Sequence, residues 1–232
     1  MFDDFVLLDL SDERPIRIPK NLEALFIGHA SVVKVDKGQT FLSKSDETTN
    51  VYLIRRGCIE FTLFSVAAKE TLFRECGPGQ IVGELAAIDE TPRSMNAVAL
   101  EDSEVLSISR RTFRLLIDQN SEFREWMLMH MAGRIRELSQ RILDLSTLSV
   151  PCRIWLELVK RCEESGRDKS SVTLLNFPVH RRLAAKLGTH REAISREFSK
   201  LKSEGIIRQK GRELEICSVD RLRKMIIRHL GT

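Results

Sequence analysis

Three glycines divide the N-terminal half of this chain into short segments in which apolar and polar residues alternate. They are Gly38, Gly57 and Gly79. Because glycine adopts the positive φ that tight turns between strands require, the pattern predicts an antiparallel roll of short strands rather than helices. The apolar positions are Val33, Val35, Val51, Leu53, Ile59, Phe61, Leu63, Ala97, Ala99, Val105, Leu106 and Ile108. Together with the helical segments that follow, they predict an α+β fold.

The run from Gly83 to Ser94, inside this half, contains one acidic and one basic residue of particular interest, Glu84 and Arg93. A carboxylate accepts hydrogen bonds from sugar hydroxyls, and a guanidinium forks onto a phosphate. Held in one turn, Glu84 and Arg93 can therefore bind two ends of one phosphorylated sugar. The alternative is that the two side chains pair across an exposed loop, where an ion pair contributes little.

A long segment in which Gly133 is the single Gly and no Pro occurs separates the two halves of the chain. Asn120 or Ser121 can cap a helix there, and Pro151 cannot continue one. Apolar residues recur along it at spacings of 3 and 4, at Leu128, Met131, Ile135, Leu138, Ile142 and Leu145. This narrow a/d seam predicts a two-chain coiled coil and hence a dimer. An amphipathic helix packed on its own domain, the alternative, normally has a wider apolar face.

The C-terminal part has the pattern of a helix-turn-helix, with apolar residues at helical spacing on both sides of Gly188. Thr189 can cap the second helix, and Glu192 three residues later completes a capping box. Residues 205–216 then alternate around a Lys-Gly turn, which predicts a two-stranded wing.

The first residues of the second helix are suited to reading base edges. Arginine forks onto guanine, glutamate accepts from cytosine, and the start of such a helix enters the major groove. Arg191, Glu192 and Arg196 are therefore the predicted base contacts. Glu192 and Arg196 are one turn apart and can instead form a helical ion pair.

Charge is distributed unevenly along the 232 residues. Residues 151–232 hold 19 Lys or Arg against 10 Asp or Glu, a net charge of +9, whereas residues 1–150 hold 18 against 23, a net charge of −5. A basic C-terminal part beside an acidic N-terminal part indicates that one of them meets a polyanion.

The five cysteines are scattered without CxxC spacing, which argues against a disulfide framework or a metal site and favours a reducing cytoplasm. His29, His130 and His229 also lack metal-ligand spacing and are expected to be structural or solvated. No apolar stretch approaches the roughly 20 residues of a membrane span. We expect a cytoplasmic protein without metal and without a membrane partner.

The run from Gly83 to Ser94 resembles the phosphate-binding cassette of cyclic-nucleotide-binding domains. The pattern Arg-Glu-x-x-x-Arg after the turn glycine is similar to the recognition helix in the cyclic AMP receptor branch of the CRP/FNR regulators. This resemblance covers nearly the whole chain. It implies a cyclic-nucleotide-binding, jelly-roll-like β-roll over residues 1–120, a dimerisation helix over 121–150 and a winged helix-turn-helix over 151–232.

In the ligand site, the resemblance implies that Glu84 binds the ribose hydroxyl and that Arg93 and Ser94 bind the cyclic phosphate, with Gly83 and Leu85 completing the cassette. On the long helix, Leu138 and Ser139 occupy the positions where the cyclic AMP receptor usually has Thr-Ser contacting adenine. The resemblance makes cyclic AMP the first choice of ligand. Because one hydroxyl that would contact the base is missing, discrimination of adenine from guanine is weakened and cyclic GMP is a rival. Arg134 either approaches the cassette carboxylate or is a solvated helix residue.

For the DNA-binding module, the resemblance implies a palindromic promoter site with half-sites similar to TGTGA, bound by a homodimer, and RNA polymerase as a further partner. By the same resemblance, the residues expected to contact DNA phosphates are His180, Arg181, His190 and Arg212. Thr189 is also expected among the DNA-binding residues.

Three alternatives remain open. A family member of this kind can bind DNA without a nucleotide, or its roll can sense another small molecule. A cyclic-nucleotide-regulated enzyme is the third, but the C-terminal part is too small for an added catalytic domain and carries no nucleophile, base or metal constellation. We expect no enzymatic activity.

Overall fold

The computed structural model describes residues 16–64, 70–165 and 171–231, which divide into two compact units. One unit holds the described residues up to Glu137, and the other holds those from Leu138 onward. The division falls inside one long helix. The predicted domain limits at residues 120 and 150 stay a prediction.

The first unit is built from short strands and a few helices. In chain order these are α1 (Lys20–Ile27), β1 (Ser31–Val35), β2 (Thr40–Leu42), β3 (Val51–Arg56), β4 (Ile59–Phe64), β5 (Glu70–Cys76), β6 (Ile81–Val82), α2 (Glu84–Asp89), β7 (Asn96–Ala99), β8 (Ser103–Ile108), α3 (Arg110–Gln119) and the start of α4 (Ser121–Thr147). The strands pair antiparallel in two sheets of four, β1-β8-β3-β6 and β2-β7-β4-β5. The predicted antiparallel roll is confirmed for the part of the chain described.

Strand β3 is buried on both faces, because two separate cores meet at it. Val51 and Leu53 belong to the core that the sheet forms with the helices of this unit. Tyr52 and Ile54 belong to the core between the two sheets. Successive side chains of a strand point to opposite faces, so four consecutive apolar residues supply both layers.

The second unit is helical with one small sheet. After the end of α4 it contains α5 (Val150–Glu164), β9 (Val172–Leu174), α6 (His180–Lys186), α7 (Arg191–Ser203), β10 (Ile207–Lys210), β11 (Glu213–Ile216) and α8 (Val219–Leu230). The predicted wing is the β10–β11 hairpin, which turns at Gly211 with φ +60. Strand β9, which the sequence pattern did not predict, adds a third strand beside β11.

One buried polar contact joins α5 to α7. The Trp155 indole Nε1 donates to Glu197 Oε1 at 2.7 Å, and both side chains are buried. A buried carboxylate that accepts a hydrogen bond is less costly than one left without a partner.

The long helix begins where the sequence predicts and ends earlier. Asn120 Oδ1 accepts from the Phe123 amide at 2.8 Å at its start. Helix α4 ends at Thr147, and Ser149 is the N-cap of a new helix, α5. Pro151 therefore does not end the long helix; it lies in the first turn of the next one, where the missing N–H costs nothing.

Gly57 and Gly38 test how much of the roll depends on close packing at a turn. Both have positive φ, +93 and +82. A Cβ at Gly57 would lie 2.7 Å from Ser103 Cα, whereas nothing lies within 4 Å of one at Gly38. We expect Gly38→Ala to cost about 1–2 kcal/mol from left-handed strain and Gly57→Ala about 1–3 kcal/mol more from overpacking. Calorimetric melting of the full chain measures both, and equal losses would contradict the packing account.

Candidate functional site

Gly83 begins the run that the sequence singles out, and its conformation requires glycine. Its φ is +82, and a Cβ there would lie 2.7 Å from Arg93 Nη1 and 3.0 Å from the Asn50 carbonyl oxygen. The residues after it form the short helix α2 rather than the single turn that was predicted. Glycine therefore has two roles at this position: it allows the positive φ of the turn, and its lack of a Cβ lets Arg93 approach the backbone.

Arg93 is buried, with 4% of its surface exposed, and is bound by its own chain. Its Nη1 donates to the Gly83 carbonyl at 2.8 Å, its Nη2 to the Asn50 carbonyl at 2.7 Å, and its Nε to Thr48 Oγ1 at 3.1 Å. The guanidinium carbon lies 5.8 Å from the centre of the Tyr52 ring. These bonds use three of the five N–H groups, one on each nitrogen.

Glu84 is also buried, with 3% of its surface exposed. Its Oε2 has no hydrogen-bond partner among the described residues. The alternative of an exposed loop pair is therefore wrong, because neither Glu84 nor Arg93 is exposed. A buried carboxylate oxygen without a partner is costly, and in native proteins such an atom calls for a bound water, ion or ligand.

The remaining predicted ligand residues lie in different settings. Ser94 and Leu85, which belong to the cassette, are exposed. Arg134 is mostly buried and pairs with Glu137, so it is not a solvated helix residue. Burial lowers its pKa, an effect that Arg74 strengthens and that Glu137, Cys76 and Glu84 oppose.

Leu138 and Ser139 follow in the second unit. Leu138 is half-buried and Ser139 is exposed. Their role in contacting the base stays a prediction.

A polar cluster inside the first unit was not predicted. His130, on α4, is 2% exposed, and both its ring nitrogens lack a hydrogen-bond partner among the described residues. Its ring stacks on Trp126 with centroids 5.4 Å apart. Burial lowers the pKa of His130, and Glu84 opposes that shift. The sequence carried no signal of this beyond a histidine one turn before Arg134.

The helix-turn-helix is present, but its second helix starts differently from the prediction. Gly188 has φ +62, and the Thr189 amide donates to the Ala184 carbonyl at 2.9 Å. Thr189 is buried in the turn, His190 is the N-cap, and no side chain caps α7. The predicted capping box of Thr189 and Glu192 is therefore wrong.

The start of α7 presents the predicted base-reading residues. Arg191, Glu192 and Arg196 are exposed, while Ile194 and Phe198 on the other face are buried. The structure has no ion pair between Glu192 and Arg196, both of which it describes, so the helical ion pair is not formed. Both charges are available to a partner.

Helices α6 and α7 and the wing border a shallow depression of about 600 Å³. Its lining is Val179, His180, Arg181, Arg191, Lys202, Gln209 and Gly211. His180 is fixed there by a 2.9 Å hydrogen bond between its Nδ1 and Ser195 Oγ. Lys202, which the sequence reasoning missed, donates to Gln209 Oε1 on the wing at 2.9 Å.

Two more predicted residues, His190 and Arg212, lie exposed at the start of α7 and at the tip of the wing. The predicted DNA-contacting residues thus come from α6, the turn after it, α7 and the wing of one compact module, and of these Thr189 is buried.

Among the described residues, no group of three His, Cys, Asp or Glu side chains is arranged to hold a metal ion. No described helix is both long and apolar enough to span a bilayer. All five cysteines are free thiols.

Two family models match the chain. Residues 32–120 match the model of the cyclic nucleotide-binding domain, and residues 152–225 match that of the Crp-like helix-turn-helix domain. The first model covers the roll with Glu84 and Arg93, and the second covers the module with the exposed face of α7.

Relatives of known role resemble the chain over most of its length. It is 24% identical over 191 residues to the CRP-like cAMP-activated global transcriptional regulator of Mycobacterium tuberculosis, covering 82% of this chain and 85% of the relative. It is 29% identical over 180 residues to the anaerobic regulatory protein of Bacillus subtilis, covering 75% and 74%.

Among solved structures, the c-di-GMP responsive global regulator CLP of Xanthomonas campestris has the same fold. The TM-score is 0.74 at 18% identity, covering 85% of this chain and 99% of that one. The relatives are regulators, in agreement with the expectation that the chain is not an enzyme. The chain thus has a cyclic nucleotide-binding domain followed by a Crp-like helix-turn-helix domain, and its relatives are named as regulators, which supports the resemblance to the CRP/FNR family of transcription regulators.

Proposed function

We propose that the protein is a homodimeric transcription regulator that binds one cyclic nucleotide in each roll and then binds a palindromic DNA site with TGTGA-type half-sites. Each nucleotide is held by Glu84 and Arg93. Such a regulator works in the bacterial cytoplasm, where its DNA and RNA polymerase are found.

The observation that carries this proposal is the burial of an acid and a base in one short run. Glu84 and Arg93 are 3% and 4% exposed, and Oε2 of the carboxylate has no partner among the described residues. Beyond its three hydrogen bonds to Thr48, Asn50 and Gly83, the guanidinium has the Tyr52 side chain as a further hydrogen-bond partner, which leaves at least one of its five N–H groups for a ligand. A ribose hydroxyl and a cyclic phosphate would satisfy these groups.

Cyclic AMP is the first candidate ligand, with cyclic GMP as its rival. The relative from Mycobacterium tuberculosis is named as cAMP-activated, which supports cyclic AMP. Leu138 cannot donate to a base, whereas the exposed Ser139 can. Discrimination between the two purines would thus depend on fewer hydrogen bonds than in a Thr-Ser pair.

The seam of α4 supports a dimer. Leu128, Ile135 and Ile142 are 66%, 63% and 68% exposed, although each is a large apolar residue. They recur every seven residues, at one position of a heptad. A second copy of the helix would cover this stripe, and a dimer would place two α7 helices in successive major grooves about 34 Å apart.

Nucleotide and DNA are proposed to shift the same equilibrium, between a dimer arrangement that fits the DNA grooves and one that does not. If the nucleotide binds better to the arrangement in which both α7 helices fit the grooves, it raises DNA affinity, and DNA raises nucleotide affinity equally. RNA polymerase is the proposed partner of the DNA-bound dimer.

A regulator that needs no nucleotide, or senses another small molecule, is the second candidate. The three hydrogen bonds that hold Arg93 to its own chain favour it, because the guanidinium is already ordered without a phosphate. A solved structure with the same fold is named as a c-di-GMP responsive regulator, which supports this second candidate.

Titration with cyclic AMP and with cyclic GMP, while binding to a TGTGA palindrome is followed, tests the main proposal. We expect one nucleotide to raise DNA affinity in the wild type. Arg93→Lys keeps the charge but loses the fork, so nucleotide affinity should fall about 10- to 100-fold. Arg55→Lys is the control, because Arg55 is an exposed arginine of the same roll. Equal DNA affinity with and without nucleotide would contradict the switch and favour the second candidate.

Ile135→Glu tests the dimer. A carboxylate at a seam position would be buried against its partner, so the dimer dissociation constant should rise at least about 100-fold. Met129→Glu is the matched control, since Met129 is 67% exposed on the same helix but outside the seam. Sedimentation velocity across a concentration series measures both variants. A seam that does not form the interface would leave them indistinguishable.

Arg196→Ala and Arg212→Ala separate base reading from phosphate contact. We expect Arg196→Ala to cost about 1–3 kcal/mol on the TGTGA site and to relax discrimination there. Arg212→Ala should weaken binding to all sequences alike and reduce the salt dependence by about one counterion for each subunit. Both remove one positive charge, so each controls for the other. Identical effects on specific and nonspecific DNA would remove Arg196 from the base-reading set.

A further inference from the structure

His130 is a buried imidazole without a partner. It is 2% exposed, and neither ring nitrogen makes a hydrogen bond to any described residue. Stacking on Trp126, with ring planes 26° apart, fixes its orientation. Buried polar atoms in native proteins are nearly always satisfied, so two unsatisfied nitrogens on one rigid ring indicate a missing polar molecule.

The same interior contains the unsatisfied oxygen of Glu84. Helix α2, which begins at Glu84, contributes Ala87 to the same core as Trp126, the ring on which His130 stacks. The Glu84 carboxylate also favours the charged form of His130. Two elements distant in sequence thus each contribute a buried group without a partner to the interior of one unit. Leaving both groups without a partner in a low-dielectric interior is costly, and a polar ligand bound between them would remove that cost.

The charged groups that bear on His130 come from three elements. Glu84 is on α2, Arg74 on β5, and Arg134 and Glu137 on α4. The two carboxylates oppose the two guanidiniums. Cys76 on β5 experiences the same four charges, and burial raises the pKa of its thiol, so it adds no charge near neutral pH. The imidazole is therefore the group in this cluster that can change its charge between pH 6 and pH 8.

Building on the proposed binding of a cyclic nucleotide by Glu84 and Arg93, we infer that His130 is a further ligand-contacting residue, which hydrogen-bonds the bound nucleotide and takes up a proton when that anion enters.

The direction of the pH effect follows from the burial. In the free protein burial holds the pKa of His130 below its ordinary value, so the ring is neutral at pH 8. An anion in the same interior favours the imidazolium and raises that pKa. A group whose pKa is higher in the bound state takes up a proton on binding. Nucleotide affinity therefore rises as pH falls through the bound-state pKa, and it stops rising below the free-state pKa.

Calorimetric titration of the full-length protein with cyclic AMP, and in parallel with cyclic GMP, at pH 6, 7 and 8 tests this inference. We expect binding to be about tenfold tighter at pH 6 than at pH 8, the change that one pH unit of pKa shift produces. Titrations in two buffers of different ionisation enthalpy should show net proton uptake. The phosphodiester and the bases do not titrate in this range.

His130→Gln retains hydrogen-bonding capacity but cannot be protonated. It should bind at pH 8 within about threefold of the wild type and lose the pH dependence. His29→Gln is the matched control, because His29 is an exposed histidine of the same unit, and it should keep the wild-type dependence. A His130→Gln variant with the wild-type pH profile would overturn the inference.

A measurement on the wild type covers the case in which His130→Gln does not fold. The imidazole proton resonances of His130, followed by NMR against pH, give its pKa with and without nucleotide. A higher pKa in the bound state supports the inference, and an unchanged pKa overturns it. Binding without pH dependence overturns the role of His130 alone, whereas absence of binding at every pH overturns the proposed function as well.

Discussion

The buried guanidinium of Arg93 ties together segments that are far apart in sequence. It bonds to Thr48 and Asn50, which precede β3, and to Gly83, which precedes α2. Its own backbone is held as well, since its amide donates to the Asp46 carbonyl. A charge can remain in such an interior only when several acceptors surround it, and here backbone carbonyls and a hydroxyl provide them. The position of the neighbouring carboxylate of Glu84, and with it the chemistry of the roll, depends on this set of bonds.

The second unit follows a different principle. The charged residues of α7 lie on an outer face, and two buried carboxylates of this unit are paired with side chains of its own helices. Trp155 and Glu197 connect α5 to α7 through one hydrogen bond, while Glu157 accepts from Arg161 and Lys186 at 2.6 and 2.7 Å. These contacts fix the helices that carry the exposed arginines of α7. A module built in this way presents a rigid basic surface, which suits recognition of a regular polyanion such as duplex DNA.

The sequence predicted much of the fold and part of the candidate site. The features that it did not predict depend on short elements or on contacts between distant residues. Period-two alternation predicted the strands of the roll, and the Lys-Gly turn predicted the wing. Strand β9 has only three residues, too few to show a period. The capping box failed because a hydrogen bond from the Thr189 amide to Ala184 shifts the helix start by one residue, and a local motif does not report such a bond. The partners of Arg93 lie 10 to 45 residues away, and the burial of His130 depends on strands and helices from several parts of the chain, so neither was visible from spacing.

Strand β3 contributes side chains to two separate cores of the first unit. Tyr52 contributes to the inner layer beside Arg93, while its neighbours Val51 and Leu53 touch the layer that contains Phe123 and Trp126 of α4. Close-packed interiors resist compression. If β3 shifts by a fraction of an ångström in one core, the side chains of the other core must therefore adjust. A displacement of the Arg93 guanidinium can therefore reach helix α4 through the single strand β3.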